Sequence, residues 1–189
     1  MNNTEYILGM DPGKSGALCF LPLDGSALIY LATPTIKGTR EIDLCKIYRF
    51  VHPLMACTRV CVIEDVHSIF GTSSKSNFQF GRSLGNIEML PVVFGKPLIK
   101  VAPKTWQRVA WQGIPVVKNP KVVKASKNKD GTLKPERTLM KTDTKATSLN
   151  AARRLFPKES FLDSPQSSVA HDGVVDAALI AYWAKRENI

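Results

Sequence analysis

Four acidic residues stand where solvation alone explains an acid poorly: Asp11, Glu64, Asp172 and Asp176. Asp11 follows the apolar run Tyr6 to Met10 and opens the turn Asp11-Pro12-Gly13, while Glu64 ends the run Val60-Cys61-Val62-Ile63. An acid at the end of a buried strand is costly unless it is solvated, paired or bound to a cation. Turn chemistry by itself accounts for Asp-Pro-Gly, so Asp11 gains meaning only beside Glu64. Asp65 follows Glu64 directly and competes with it as a ligand. Asp172 and Asp176 lie at i and i+4, on one helix face, with Cβ atoms about 5–6 Å apart. Like charges there repel, and a bound cation reverses the sign. The helix dipole explains an acid in the first turn; it covers Asp172 and leaves Asp176 unexplained. Carboxylates without cysteine select hard cations, Mg²⁺ or Mn²⁺. Several of them can hold two ions about 3.5–4 Å apart, an arrangement suited to phosphodiester hydrolysis.

The rest of the composition fits that chemistry. The chain has 189 residues, 26 basic and 16 acidic, for a net charge of +10. Such a balance points to a polyanionic partner, most simply nucleic acid. No apolar run is long enough to cross a membrane and no basic amphipathic helix suggests binding to its surface. Met1 to Glu5 has no signal-peptide pattern. The cysteines, Cys19, Cys45, Cys57 and Cys61, lack zinc-site spacing and are expected to be buried, reduced thiols of a cytoplasmic protein. Gly9 to Ser15 reads GMDPGKS and invites a phosphate-loop assignment. That loop needs four residues between its glycines and must open a helix. Here Gly9 and Gly13 enclose three, and an apolar run resembling a strand follows Gly16. No nucleotide cofactor is expected.

The acids need elements to position them. Tyr6–Met10, Ala17–Leu21 and Ala27–Ala32 read as three strands, the last two joined by the turn Leu23-Asp24-Gly25-Ser26. Asp43–Ala56 has helical spacing of apolar residues. Arg59–Glu64 is apolar without alternation, as in a strand buried on both faces and parallel to the first. A polar loop from Ser68 to Asn77 leads to a helix over Phe78–Leu90, with Phe78 and Phe80 expected in the core. Pro97–Val101 follows as a strand, and Pro103 opens a short helix to Trp111. Helices over Thr142–Phe156 and Ala170–Arg186 complete the chain. The expectation is one α/β domain over residues 1–189, with a mixed five-stranded sheet, its first three strands antiparallel, flanked by helices. Gly113–Lys141 stands apart: Lys118 to Lys145 holds nine basic and three acidic residues with little apolar periodicity, reading as a basic loop or arm. Its Lys118, Lys121, Lys124, Lys127 and Lys129 are expected to meet nucleic acid. So are Lys75 and Phe70 of the polar loop, Phe70 by stacking on unpaired bases.

Taken together, Ile7-Leu8-Gly9-Met10-Asp11-Pro12-Gly13 with Gly16, Val62-Ile63-Glu64 and the Asp176-Ala177-Ala178-Leu179-Ile180-Ala181 helix resemble the RuvC-type Holliday junction resolvases. The anchors occur in family order and span residues 6 to 183. The resemblance implies an RNase H-like fold, a homodimer, Mg²⁺ or Mn²⁺, and paired symmetric nicks across a four-way DNA junction. It carries metal-ligand roles onto Asp11, Glu64 and Asp176. The preceding acid or His of the family falls at Gly173, so Asp172 departs from the bacterial register. His-Asp-Gly at this point is similar to phage and organellar branches, and makes His171 either a ligand, a general acid/base or a helix cap. A family lysine falls near Lys145; a second falls near Gln107, for which Lys104 or Arg108 would substitute. The family's dimer helix falls on the 78–90 segment, where Gly81 and Gly85 suggest close packing, against a second copy or the chain's own sheet. Competing readings are a nuclease for other branched DNA or RNA–DNA hybrids, and a binder without catalysis. Actin-like ATPases and sugar kinases share the strand meander but need two such domains.

Overall fold

In the computed structural model, which describes residues 4–39, 41–67, 71, 73–128 and 131–189, the apolar runs become the strands of one sheet. They are β1 (Tyr6–Asp11), β2 (Ala17–Pro22), β3 (Ile29–Ala32), β4 (Thr58–Glu64) and β5 (Leu98–Val101). The spatial order is β3-β2-β1-β4-β5. β1, β2 and β3 form an antiparallel meander, and β4 and β5 extend the sheet in parallel with β1. The mixed five-stranded arrangement expected from sequence is the one observed.

Because side chains alternate across a strand, the unbroken apolar runs feed two cores. Ile7, Cys19, Val60 and Val62 point to one side; Leu8, Phe20, Cys61 and Ile63 point to the other. The second side is covered by α1 (Leu44–Met55), through Ile47, Val51 and Met55, and by α2 (Ser74–Val93), through Ile87 and Leu90. The first is covered by α3 (Pro103–Ala110), α4 (Thr144–Leu155) and α5 (Asp172–Arg186). Asp43 caps α1 by accepting from the Lys46 amide, and Asp143 caps α4 by accepting from the Ala146 amide.

Several expectations need correction. α2 begins four residues before Phe78, because Ser73 caps it by accepting from the Ser76 amide. It also passes through Pro91, which has no N–H to give the Ile87 carbonyl one turn back. Phe78 is not core: it is 69% exposed. Nothing lies within 4 Å of a Cβ placed on Gly81 or Gly85, so the chain's own sheet does not pack there. Cys19 and Cys61 are buried free thiols, but Cys45 and Cys57 are exposed, on the solvent side of the first turn of α1 and in the turn before β4.

The basic arm is a β-ribbon rather than a loop. β6 (Lys118–Val123) pairs antiparallel with β9 (Arg137–Thr142), and β7 (Ser126–Lys127) pairs with β8 (Leu133–Lys134). Among the described residues no helix is long and apolar enough to cross a membrane.

Candidate active site

The register of β1 and β4 brings two of the acids together. Met10 pairs with Ile63, so the next residue of each strand, Asp11 and Glu64, emerges at the same C-terminal sheet edge. Neighbouring strands lie about 4.8 Å apart. Open α/β sheets keep their sites at this edge.

α5 delivers the other two acids, and glycines let it do so. A Cβ on Gly9 would lie 2.1 Å from the Ala177 carbonyl oxygen and 2.7 Å from the Ala181 amide nitrogen. The helix backbone therefore rests directly on β1. At its N-terminal end a Cβ on Gly173 would lie 2.5 Å from the Ser15 carbonyl oxygen. That turn is itself tight, since a Cβ on Gly16 would sit 2.0 Å from the Asp11 carbonyl oxygen. These contacts run α5 antiparallel to β1 and leave no room for a side chain at 173. Here lies the physical reason no acid stands at 173. The turn also settles the GMDPGKS motif, for it leads into β2 and not into a helix.

Asp11, Asp172 and Asp176 line one cleft, and Glu64 stands near enough for its charge to act on Asp11 and Asp176. Burial holds the Asp11 carboxyl well above its ordinary range, with further lifting by the charges of Asp176, Glu64 and Asp172. Burial pushes Asp176 up to about 7; Glu64 and Asp172 add to this, while Ser148, hydrogen-bonded to it, and Lys145 oppose it. Glu64 is raised by burial and partly restored by the Trp106 indole, whose Nε1 donates to Glu64 Oε1 at 2.9 Å. Asp65 acts elsewhere, on the charge of Lys100. The Lys145 ammonium, at the start of α4, donates to Asp172 Oδ2 in a short contact that raises its own pKa. Both partners are largely solvated, so this pair is worth little as stability.

A cleft of about 520 Å³ is lined by Asp11, Lys145, Asp172 and Asp176, with Ser15 and His171 among the others. His171 is the N-cap of α5: its Nδ1 accepts from the Val174 amide at 3.3 Å.

Two observations bear on a cation. Asp176 Oδ1 is buried without a hydrogen-bond partner, and such an orphan costs about 1–3 kcal/mol unless something satisfies it. The donors are all carboxylate oxygens, the set that hard cations take. Against this, no three His, Cys, Asp or Glu side chains among the described residues converge closely enough to hold an ion as they stand. The donor chemistry of the acids is that of Mg²⁺ or Mn²⁺.

The remaining expected residues lie apart. Lys75 lines a different cleft with Lys14 and Phe80. Lys104 and Arg108 are exposed on α3 and do not line the acid cleft. Lys118, Lys121, Lys124 and Lys127 are exposed on the ribbon. Phe70 and Lys129 fall outside the described residues. Sequence reasoning missed Trp106 and Ser148, which hold the acids; a lone aromatic and a lone serine in helices carry no signal of their own.

No family model matches the sequence, and no curated protein matches it. Among solved structures, T. thermophilus RuvC in complex with Holliday junction substrate superposes with a TM-score of 0.51 at 14% identity, covering 97% of this chain and 96% of that one. A second Thermus thermophilus RuvC structure gives 0.49 at 15% identity over the same shares. YeaZ from Pseudomonas aeruginosa gives 0.42 at 12% identity, covering 97% and 93%. At such identities the likeness is one of fold, and the fold of this chain is the RNase H-like α/β arrangement seen in RuvC.

Proposed function

We propose that this chain is a metal-dependent endonuclease that resolves four-way DNA junctions by paired nicks. The observation carrying this reading is the placing of Asp11 and Glu64 at one sheet edge, with Asp176 and Asp172 of α5 within reach of the Asp11 charge, in a chain with net charge +10. The RuvC-like fold supports it, and so does the junction bound in the T. thermophilus complex.

Mg²⁺ or Mn²⁺, when bound, supplies an activated water and neutralises charge on the scissile phosphate. Asp11, Glu64 and Asp176 would hold it. Ionised Asp176 is stabilised by the hydrogen bond from Ser148, and Trp106 fixes Glu64 with Oε1 toward the indole. Lys145 neutralises Asp172 and offers its remaining N–H groups to phosphate oxygens. His171 lines the same cleft, placed to exchange a proton with the leaving oxygen.

Paired nicks require two sites, and α2 offers the surface for a second copy. Phe78, Gly81, Gly85, Met89 and Val92 recur at three- and four-residue spacing, which puts them on one helix face. Phe78, Met89 and Val92 are exposed, and none of the described residues covers the glycines. A two-fold dimer through this face suits a symmetric junction.

The test is a substrate panel with Mg²⁺ or Mn²⁺: synthetic four-way junctions, plain duplex and RNA–DNA hybrids. Cleavage of junctions, abolished by Asp11→Asn with binding retained, is expected. Cleavage of hybrids with junctions left whole replaces this reading with a hybrid-cutting nuclease.

A further inference from the structure

A two-stranded ribbon exposed on both faces has no core of its own and needs a reason to persist. Between Lys118 and Lys141 the arm holds eight basic residues and two acidic ones, Asp130 and Glu136. The register shows that these charges are not spread evenly. Residues directly opposite in an antiparallel pair share a face. Asn119 pairs with Lys141, Lys121 with Leu139, and Val123 with Arg137. One face therefore carries Lys121, Arg137 and Lys141, alternating between the strands. The other carries the pairs Pro120–Met140 and Val122–Thr138, with Lys118 its only cation, at the base opposite Thr142.

The cations on the first face advance by two residues per step, about 6.7 Å. Two base-pair steps of duplex DNA advance about 6.8 Å along each strand. A two-stranded ribbon is also of a width the major groove of B-DNA admits, about 12 Å.

The base of the ribbon is fastened to the acid cleft. The Asp143 amide donates to the Val117 carbonyl at 2.8 Å, Asn119 Nδ2 donates to Asp143 Oδ2 at 2.8 Å, and the Val117 amide donates to Thr147 Oγ1 at 3.1 Å. Asp143 is the cap of α4 and stands two residues before Lys145, which meets Asp172. The base of the ribbon is thus tied to the helix that carries Lys145. Six residues of strand span about 20 Å, the length of about six base pairs at about 3.4 Å each.

We infer that the Lys121–Arg137–Lys141 face of the ribbon binds a duplex arm of the nucleic-acid substrate along its groove. The inference deepens the nuclease reading and rests on it for the word substrate. Its test does not depend on cleavage. Binding of a fluorescent plain DNA duplex is measured against salt concentration in EDTA, for the whole protein and two triple variants. One is Lys121→Gln with Arg137→Gln and Lys141→Gln; the other is Lys124→Gln with Lys127→Gln and Lys134→Gln, an equal loss of charge beyond that face. All six positions are exposed, and a melting curve checks that each variant is folded.

Losing three phosphate contacts lowers the slope of log K against log salt by about 2.7, at about 0.9 per contact. The first variant should show that drop and the second less than about 1. Equal drops in both mean that only net charge acts, which overturns the face assignment. Unchanged slopes in both mean the ribbon does not touch duplex DNA. Loss of junction cleavage with the predicted slopes intact would instead fault the nuclease reading alone.

Discussion

Replacing Asp176 by Asn is expected to make the protein more stable and catalytically dead. Its carboxyl is raised from an ordinary 3.8 to about 7, chiefly by burial. Below pH 4 both folded and unfolded chains keep the proton, and the group has no effect on stability. Between pH 4 and 7 the folded chain holds a proton that the unfolded chain has lost, so stability falls as pH rises, by about 1.36 kcal/mol per unit. Above pH 7 both states are ionised and the penalty stays at its full value, up to about 4 kcal/mol. From pH 5 to pH 8 the change is about 2.7 kcal/mol, because the penalty stops growing near 7. Asn is neutral and of nearly the same shape, so Asp176→Asn escapes that penalty. Urea denaturation in EDTA at pH 5 and pH 8 measures it, with the variant's advantage growing by about 2–3 kcal/mol between the two. Adding Mn²⁺ at pH 8 should raise the stability of the native protein and not that of the variant, since a ligand stabilises only the state that binds it. A variant no more stable than the native protein at pH 8, with the same pH dependence, would refute the buried-charge reasoning.

Other perturbations follow from the same geometry. Gly9→Ala drives a methyl group into helix backbone, at 2.1 Å from the Ala177 oxygen; overpacking of this kind costs about 3 kcal/mol. At about 2–4 °C per kcal/mol for a chain of this size, calorimetry should show Tm lowered by about 6–12 °C, and an unchanged Tm would contradict the close approach of α5. Trp106→Phe removes the donor to Glu64 and so raises that carboxyl further. The acid limb of the pH–rate profile should move to higher pH, and stability should fall by about 1–2 kcal/mol. A profile that does not move would show that the indole does not tune Glu64. Met89→Glu with Val92→Glu places charges on the exposed α2 face and should convert a dimer to a monomer in light scattering. A dimer that persists puts the interface elsewhere.

Much of this arrangement was legible in the sequence because two signals agreed. Strand ends and apolar runs fixed β1 and β4, and the parallel pairing of those two strands made Asp11 and Glu64 neighbours before any coordinates existed. The i, i+4 spacing likewise put Asp172 and Asp176 on one face. What escaped depended on contacts between distant residues. That Gly173 excludes a side chain follows from its approach to Ser15 and Gly16, more than 150 positions away in the chain. The hydrogen bond that distinguishes Glu64 from Asp65 comes from an indole 42 residues on. The arm escaped for a different reason. Its strands have no buried face, so the alternation that marks a half-buried strand is missing, and only cross-strand pairing reveals the ribbon. Phe78 shows the converse: an aromatic in a helix reads as core, yet here it belongs to a face the chain leaves open.

The central claim is that four acids on this fold cut a four-way DNA junction. The most direct measurement maps the nicks on an end-labelled synthetic junction with Mg²⁺, for the native protein and for Asp11→Asn, Glu64→Gln and Asp176→Asn. Two symmetrically placed nicks with the native protein, and none with any variant that still binds the junction, is the predicted result. An intact junction with the native protein, or equal nicking by the variants, would contradict it.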